Sequence, residues 1–403
     1  MASYFIYNER FSEPIIQTQV INLLQDFNRA YPDRRFRLCV FQNAVFYVKE
    51  REVRERLVAA ARSNGLDVRV YPLALPTRGW LSGRVGLWLH RTLFWAACLL
   101  LPRGTIFCRG YLATSLCTQV ASRRGLHVVS DPRSLYAREN VGVRWKEDDP
   151  IHRLWLQIER EMVLKAKEVI VVNSAMATYY TSLPGMRADK VTVIPIYSRA
   201  QPATDLAPQA ERVRLIYVGS LSHSKWNDIN AYRKFFAALK AVAHRIELVL
   251  VVKHGGSLTD ELQRDLATMG ISATVLVALP PDEVRTQMAR ADIGLVISDA
   301  WEDADARTGI KTIEYLSSSL AIWSTRHFAD VARIISETDT GFVFQSSSPD
   351  EQEMSRALDD FTQRRAALRQ NVMKLYESNY SSATILAEMR RVIVRADPAL
   401  VPA

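Results

Sequence analysis

The chain turns polar at residues 198–211, which read Ser198-Arg199-Ala200-Gln201-Pro202-Ala203-Thr204-Asp205-Leu206-Ala207-Pro208-Gln209-Ala210-Glu211. Two prolines and a low apolar content are typical of a linker. On both sides of this segment, short β-branched or aromatic runs alternate with longer stretches of helical spacing. Such alternation predicts parallel sheets covered by helices on both faces. The sequence therefore predicts two doubly wound α/β domains, residues 1–198 and residues 199–403.

The strand-like runs before the linker are residues 36–41, 68–71, 105–108, 127–129, 169–172 and 191–196. Those after it are residues 213–218, 246–252, 273–279, 293–297, 320–323 and 341–344. The tail at residues 352–396 has the spacing of two or three helices, which could pack back on the N-terminal domain. In doubly wound sheets the ligand lies at the carboxyl ends of the strands. We therefore expect two such edges to face each other across a central cleft.

Composition limits the class of protein. Of the 403 residues, 48% are hydrophobic and 24% are charged, as in globular proteins. The four cysteines are irregularly spaced, which favours reduced core cysteines in a cytoplasmic protein. The start of the chain, from Met1 to Tyr7, lacks the features of a signal peptide. The net charge of +9 predicts an anionic partner. Because no nucleic-acid recognition motif accompanies the charge, we expect a phosphorylated ligand or an acidic membrane surface and no nucleic acid.

Residues 80–101, from Trp80 to Leu101, form the most apolar stretch of the chain. Arg84, His90 and Arg91 interrupt it, and its longest uncharged run, residues 92–102, is too short to span a bilayer. Tryptophan mixed with arginine is typical of a helix that lies in a membrane interface. A packed helix of the N-terminal domain fits the same residues, so both interpretations stay open.

The strongest candidate site begins at Thr308, a residue type that favours the N-cap of a helix. A capping box would have Glu or Gln three residues later, but the sequence has Lys311 there. A lysine in the first turn opposes the helix dipole unless an anion neutralises both. A phosphate at this helix end, beside Gly309 and Ile310, would do so. Glu314 lies on the same helix face and could accept hydrogen bonds from two ribose hydroxyls. A surface Lys–Glu pair is the alternative.

A second candidate site follows the strand at residues 213–218. The strand ends in Gly219, where a backbone without Cβ lets a ligand approach closely, and Ser220 comes next. Lys225 then follows within reach of the same edge. An ordinary turn between a strand and a helix is the alternative.

Two arginines follow strands of the N-terminal half. Arg109 and Arg133 each lie at the carboxyl edge of the predicted sheet. The planar guanidinium binds two oxygens of a diphosphate or a carboxylate at once. Pairing with Glu139 or Glu159, to tie loops together, is the alternative for either arginine.

Metal binding is not predicted. Asp303-Ala304-Asp305 has the form of an Asp-x-Asp metal motif, but its acidic surroundings favour a solvated loop. The histidines and cysteines lack metal-ligand spacing.

The two C-terminal candidates resemble motifs of the retaining GT-B glycosyltransferases of glycosyltransferase family 4. Gly219-Ser220-x4-Lys225 resembles the Gly-Arg-x4-Lys phosphate-binding loop, with Ser220 in place of the arginine. The segment from Thr308 to Leu316 resembles the later half of the Glu-x7-Glu element. The first glutamate of that element is replaced by Ala306, and the resemblance assigns Glu314 to the donor ribose.

The N-terminal half resembles the polysaccharide-building members of that family. Glu13-Pro14-Ile15-Ile16-Gln17-Thr18-Gln19-Val20 resembles the Pro-x2-Gln-Ser-Gln-Val loop after the first strand. Cys108-Arg109-Gly110-Tyr111 is similar to His-Ala-Arg-Ser-Tyr. The segment Asp131-Pro132-Arg133-Ser134-Leu135-Tyr136, with Glu139, is similar to Asp-Met-Arg-Gly and the glutamate that follows it. The motifs occur in the family's order and cover most of the chain.

The resemblance implies a GT-B fold and a cytoplasmic glycosyltransferase, at the inner face of the cell membrane, that builds cell-surface polysaccharide. A nucleotide sugar, UDP- or GDP-linked, is the expected donor, and a glycan or lipid-linked molecule the acceptor. Retention of configuration is implied, with neither metal nor cofactor. The expected catalytic residues are Glu13, Arg109, Arg133, Lys225 and Lys311. The expected donor-binding residues are Gly219, Ser220, Lys225, Thr308, Gly309, Ile310, Lys311 and Glu314. A nucleotide-sugar 2-epimerase and a catalytically degenerate scaffold are the alternatives.

Overall fold

The computed structural model describes residues 1–8, 10–76, 79–199, 211–223, 228–299 and 309–397. The chain divides into two compact units. The first contains Met1–Arg199 together with Ser382–Ala403, and the second contains Ala200–Ser381. The C-terminal helix thus belongs to the same unit as the N-terminal half.

The first unit is built on a parallel sheet of seven strands in the order β3-β2-β1-β4-β5-β6-β7. The strands are β1 (Ala2–Tyr7), β2 (Phe36–Asn43), β3 (Asp67–Ala74), β4 (Gly104–Arg109), β5 (Leu126–Asp131), β6 (Glu168–Val171) and β7 (Val191–Val193). The helices are α1 (Pro14–Ile16), α2 (Asn22–Ala30), α3 (Ala44–Lys49), α4 (Arg51–Ser63), α5 (Arg84–Ala97), α6 (Tyr111–Arg124), α7 (Tyr136–Glu139), α8 (Pro150–Lys165), α9 (Ser174–Thr181) and, from the chain end, α16 (Ser382–Ala396). A π-helical turn, Gln17–Ile21, joins α1 to α2.

The second unit is built on a parallel sheet of six strands in the order β10-β9-β8-β11-β12-β13. The strands are β8 (Val213–Gly219), β9 (Ile246–Val252), β10 (Ala273–Val277), β11 (Ile293–Val296), β12 (Ala321–Thr325) and β13 (Gly341–Phe344). The helices are α10 (Ile229–Ala238), α11 (Ser257–Thr268), α12 (Pro281–Ala289), α13 (Ile310–Ser317), α14 (Ala329–Thr338) and α15 (Glu351–Leu375).

The predicted alternation of strands and helices is confirmed. Each predicted strand-like run overlaps a strand of the sheets, and β1 is an additional, interior strand of the first sheet. Every residue of β1 is buried. Strands of a parallel sheet are covered on both faces, so they have near-continuous apolar sequences in place of alternation. Short apolar runs therefore predict these sheets well.

The C-terminal helix α16 completes the core of the first unit. Ile385, Met389, Val392 and Ile393 are buried in the same cluster as side chains of β1 and α2. Their spacing of three and four residues forms one apolar face of the helix. All four cysteines are buried and free, as predicted for a reduced protein. None of the described helices is both long and apolar enough to cross a membrane.

Candidate functional site

The second unit carries the predicted diphosphate helix end at the start of α13. Gly309 is the N-cap of α13, with φ −71° and ψ 150°. This extended backbone excludes Gly309 from the helix, so α13 begins later than predicted. The prediction of Thr308 as N-cap was therefore wrong, and Lys311 is the second residue of α13. Lys311 nevertheless remains in the first turn, where its charge opposes the helix dipole.

Lys311 and Glu314 lie on one face of α13. The Lys311 Nζ atom is 3.8 Å from Glu314 Oε2, and the lysine side chain remains 39% exposed. Burial raises the pKa of the Glu314 carboxyl, although the nearby Lys311 ammonium acts in the opposite direction. The contact is the one expected for a surface ion pair. It also leaves a cation at the end of the helix and a carboxylate one turn along, within reach of an external ligand.

The end of β8 is closely packed around Gly219. The Tyr217 hydroxyl donates a 2.8 Å hydrogen bond to the carbonyl oxygen of Ser220 and folds over the glycine. A Cβ atom at position 219 would lie 2.6 Å from that hydroxyl. A side chain at position 219 would therefore have to displace the Tyr217 hydroxyl from this contact, which gives the glycine a local packing reason.

A hydrogen bond connects this strand end to α13. The backbone N–H of Val218 donates to the hydroxyl of Tyr315 over 2.9 Å. The Tyr315 side chain is fully buried and follows Glu314 directly. The two candidate stretches of the second unit are therefore joined by a specific buried contact.

Several predicted positions lie outside the described residues: Lys225, Thr308, Ala306 and Asp303-Ala304-Asp305. Among the residues that the structure describes, no group of three or more His, Cys, Asp or Glu side chains could hold a metal ion.

The first unit contains a cavity of about 260 Å³ at the carboxyl edge of its sheet. We call it the arginine cavity. Its described lining consists of Tyr7, Asn8, Arg109, Gly110, Tyr111, Leu112, Ala113, Pro132, Arg133, Ser134, Tyr136 and Trp155. This lining carries two guanidinium groups and no carboxylate. The cavity thus combines a positively charged part with four aromatic side chains.

Arg109 and Arg133 meet at one glutamine. The Nη2 atoms of both arginines lie 3.3 Å from Oε1 of Gln19, which is buried in the π-helical turn. Arg133 also contacts Asp131, with 3.4 Å between Nη1 and Oδ1. The Tyr4 hydroxyl donates to the second oxygen of Asp131. π-helical turns are frequent at functional sites, and here the turn presents an amide oxygen to both guanidinium groups.

Two residues of the same lining have a left-handed backbone. Arg133 has φ +68° and Asn8 has φ +62°, both in the left-handed region that disfavours residues with a Cβ. Gly110, with φ +82°, lies between β4 and α6. Such strain persists where the surrounding contacts impose it, and it is common at ligand sites.

Glu159 is one of the two carboxylates that the sequence offers as an alternative partner for these arginines. In the structure it accepts a hydrogen bond from the hydroxyl of Tyr111, and burial raises the pKa of its carboxyl. Glu13 lies in the loop after β1, where its Oε1 atom is 3.6 Å from Nη1 of Arg10. The side chain is about half exposed, and Glu13 does not contribute to the described lining of the arginine cavity.

The sequence interpretation did not assign roles to Tyr7, Tyr136 or Trp155 in this cavity. Tyr7 had a usable signal, because it ends the first strand and so lies at the carboxyl edge. Trp155 and Tyr136 lie on α8 and α7, and their rings are 4.9 Å apart. Their approach depends on how the two helices pack, which residue spacing does not reveal.

Comparisons with known proteins agree with this architecture. Residues 25–196 match the family model described as a glycosyl transferase 4-like domain. A comparison of this sequence with curated proteins found no match. Sucrose-phosphate synthase from Thermosynechococcus elongatus superposes with a TM-score of 0.68 at 14% identity, over 99% of this chain and 100% of that one.

Two further solved structures are similar. Alr3699/HepE from Anabaena, in complex with UDP, gives a TM-score of 0.67 at 15% identity over 98% of this chain and 99% of that one. The lipopolysaccharide outer core galactosyltransferase WaaB gives a TM-score of 0.64 at 13% identity, over 98% of this chain and 99% of that one. These likenesses establish the GT-B fold for the whole chain. The glycosyl transferase 4-like domain, carried on that fold, identifies the protein as an enzyme of the glycosyltransferase type.

Proposed function

We propose that this protein transfers a sugar from a UDP- or GDP-sugar to a glycan or lipid-linked acceptor during the assembly of cell-surface polysaccharide. The observation that carries the proposal is the start of α13, where Lys311 and Glu314 share one face. A nucleotide sugar presents a diphosphate next to a ribose, and these two side chains have the charges that such a ligand requires.

The donor would bind to the second unit. Its diphosphate would accept hydrogen bonds from backbone N–H groups in the first turn of α13 and from the Lys311 ammonium. Glu314 would accept hydrogen bonds from the ribose hydroxyls. The backbone at Gly219 and Ser220, joined to α13 through Tyr315, would form the opposite wall of this site. Lys225 would add a second cation.

The acceptor would bind to the first unit, in the arginine cavity. Arg109 and Arg133 can hold an anionic group with their planar guanidinium forks. The rings of Tyr7, Tyr136 and Trp155 supply flat apolar surface of the kind on which sugar rings pack. We therefore propose an acceptor that carries a phosphate or a carboxylate beside a sugar. Glu13 is about half exposed in the loop after β1 and does not line the cavity. We propose that it contributes to catalysis only when substrate is bound.

The leaving diphosphate gains negative charge as the glycosidic bond breaks. Lys311, Lys225 and the helix end would stabilise that charge, which is where catalysis needs the most help. We propose that these groups suffice without a divalent metal and that the anomeric configuration is retained. Retention rests on the resemblance to family 4. Nuclear magnetic resonance of the first-formed product tests it, because an inverted anomer would contradict the proposal.

A cytoplasmic location follows from the use of a nucleotide sugar, and a lipid-linked acceptor would bring the enzyme to the inner face of the cell membrane.

Two other functions fit parts of the same geometry. A nucleotide-sugar 2-epimerase would turn over the nucleotide sugar without any acceptor. A degenerate scaffold, motivated by Ser220 and Ala306, would bind no donor.

Thermal unfolding with a panel of UDP-, GDP-, ADP- and TDP-sugars tests the proposal. A ligand that binds the folded state raises the midpoint, and the stabilisation grows with the logarithm of the ratio of its concentration to Kd. We expect one nucleotide class to raise it, and Lys311→Ala and Glu314→Ala to abolish the shift. Lys240→Ala, which removes an exposed lysine of the same unit, is the matched control and should keep the shift. No shift in well-folded wild-type protein would reject the transferase and favour the scaffold.

A further inference from the structure

One face of α5 exposes large apolar side chains to solvent. Val85, Trp88 and Trp95 are 62%, 62% and 60% exposed, and Leu99, in the short turn that extends the helix, is 71% exposed. They are three, seven and four residues apart, so they form a single stripe along the helix. We call these four residues the apolar stripe. Large contiguous patches of exposed apolar side chains mark interaction surfaces in proteins.

The opposite face of α5 is firmly packed. Leu87, His90 and Phe94 are buried, and His90 Nδ1 lies 2.7 Å from the hydroxyl of Tyr7. The ring of Phe94 contacts the ring of Tyr7 with 6.4 Å between centroids. The helix is therefore held in one orientation, and it does not rotate to bury the apolar stripe.

The charges next to the apolar stripe are positive. Residues 84–103 contain three arginines and no Asp or Glu. Arg84 and Arg91 line a recess of about 350 Å³ between α5 and α8. One carboxylate, Glu161, shares that recess, where it accepts a 2.8 Å hydrogen bond from Gln157. The recess therefore holds a net positive charge directly beside exposed tryptophans.

We propose that α5 docks on a bilayer that contains anionic lipid. Trp88, Trp95 and Leu99 would enter the interface between head groups and acyl chains, where tryptophan is preferred. The recess with Arg84 and Arg91 would then receive the phosphate of a lipid head group. The ligand is thus an anionic phospholipid surface. It offers a phosphate to the arginines and acyl chains to the tryptophans.

A second copy of the chain fits this face less well than a bilayer does. A twofold contact would bring the same surface of both copies together. It would place Arg84 and Arg91 near their own counterparts, while α5 offers no carboxylate to compensate. Anionic lipid complements the same charges.

The location of this surface suits a lipid-linked substrate. The same helix that exposes the apolar stripe contacts Tyr7 through His90, and Tyr7 lines the arginine cavity. One helix thickness thus separates the proposed membrane surface from the proposed acceptor site. Membrane docking does not depend on sugar transfer, so either proposal can fail while the other holds.

Flotation of the full-length protein with vesicles tests the docking. We expect binding to phosphatidylcholine vesicles that contain phosphatidylglycerol and much weaker binding to phosphatidylcholine alone. Trp88→Ser/Trp95→Ser and, separately, Arg84→Gln/Arg91→Gln should weaken binding by about tenfold or more, because each removes one of the two attractions. Raising the salt from about 0.1 M to about 1 M should weaken the wild type as well, since it screens the arginines.

Val45→Ser/Val48→Ser is the matched control, because these valines of α3 are 56% and 73% exposed on the same unit. It should bind like the wild type. The tryptophan and valine variants should keep the wild-type thermal midpoint and nucleotide response, because they change exposed side chains. The arginine variant should keep the nucleotide response, because both arginines lie in the first unit. Equal binding of the tryptophan variant and the wild type would overturn the proposal, as would no binding to either vesicle. A dimer in sedimentation that the tryptophan variant loses would assign the face to a second copy.

Discussion

The hydroxyl of Tyr315 in α13 accepts a 2.9 Å hydrogen bond from the backbone N–H of Val218 in β8. Tyr315 adjoins Glu314, and Val218 adjoins Gly219, so this bond joins the two stretches proposed to hold the nucleotide. The ring is packed as tightly as the hydroxyl. A Cβ atom on Gly294 of β11 would lie only 2.4 Å from it. The position of α13 against the sheet therefore depends on this tyrosine.

Tyr315→Phe should lower the free energy of unfolding by about 1–3 kcal/mol, because it leaves the buried Val218 N–H without its acceptor. It should also weaken nucleotide binding, since α13 loses its tie to the strand end. Urea unfolding and nucleotide titration measure the two effects. Tyr31→Phe, in the first unit, is the control and should change neither. Unchanged nucleotide affinity in a destabilised Tyr315→Phe protein would show that the bond serves stability alone.

Glu314→Gln should weaken the preference for ribose over deoxyribose, because an amide oxygen accepts a weaker hydrogen bond than a carboxylate does. If the carboxylate accepts hydrogen bonds from the ribose, wild-type protein should bind the preferred nucleotide more tightly than its 2′-deoxy form, by about 1.5–3 kcal/mol. In the variant this difference in binding free energy should fall to about 1 kcal/mol or less. Calorimetric titration gives the two Kd values for each protein. A wild type that does not distinguish the two sugars would contradict the assigned role of Glu314.

Arg109→Gln and Arg133→Gln should raise KM for the acceptor and leave KM for the nucleotide sugar nearly unchanged. Loss of a charge-assisted hydrogen bond predicts an increase of about tenfold or more for each. The effect should vanish with an acceptor that lacks the phosphate or carboxylate. Steady-state kinetics with matched charged and neutral acceptors measures this. An equal rise for both acceptors would indicate that the arginines only support the loops.

His90 should make the protein less stable in mild acid. Burial lowers the pKa of this histidine from 6.5 to about 4. Between those pH values the unfolded chain binds a proton at His90 that the folded chain does not, so the free energy of unfolding falls as the pH falls. The shift of 6.5 − 4 = 2.5 corresponds to about 3 kcal/mol by pH 4.

His90→Gln lacks this titration, so its stability should decline less between pH 7 and pH 4.5. Urea unfolding at both pH values, for wild type and variant, provides the comparison. Parallel losses in the two proteins would show that carboxylates elsewhere cause the acid sensitivity. The result also concerns the proposed membrane helix, because His90 attaches α5 to Tyr7.

Much of the fold could be predicted from the sequence for a specific reason. Parallel strands are buried on both faces, so residues 38–41 of β2 and residues 248–252 of β9 form unbroken apolar runs that stand out from the helices between them. The start of α13 was predicted less well. Whether Gly309 or Thr308 begins the helix depends on one backbone conformation, which side-chain type does not determine.

The candidate site shows the same division. Arg109 and Arg133 were each predicted at a carboxyl edge, because each follows an apolar strand. Their shared contact with Gln19 was not predicted, since that residue is 90 and 114 positions away along the chain. Only the order of strands in the sheet, with β1 beside β4 and β4 beside β5, brings them together.

The sequence by itself determines that residues 80–101 combine tryptophan with arginine. It does not decide between a buried helix and an interfacial helix. The tertiary structure decided which side chains of α5 are buried. The face with His90 and Phe94 packs against the core, and this leaves Trp88 and Trp95 in solvent. The physical reason is that an α-helix has one orientation against its sheet, set by all its contacts at once, whereas a sequence pattern lists the side chains without selecting that orientation.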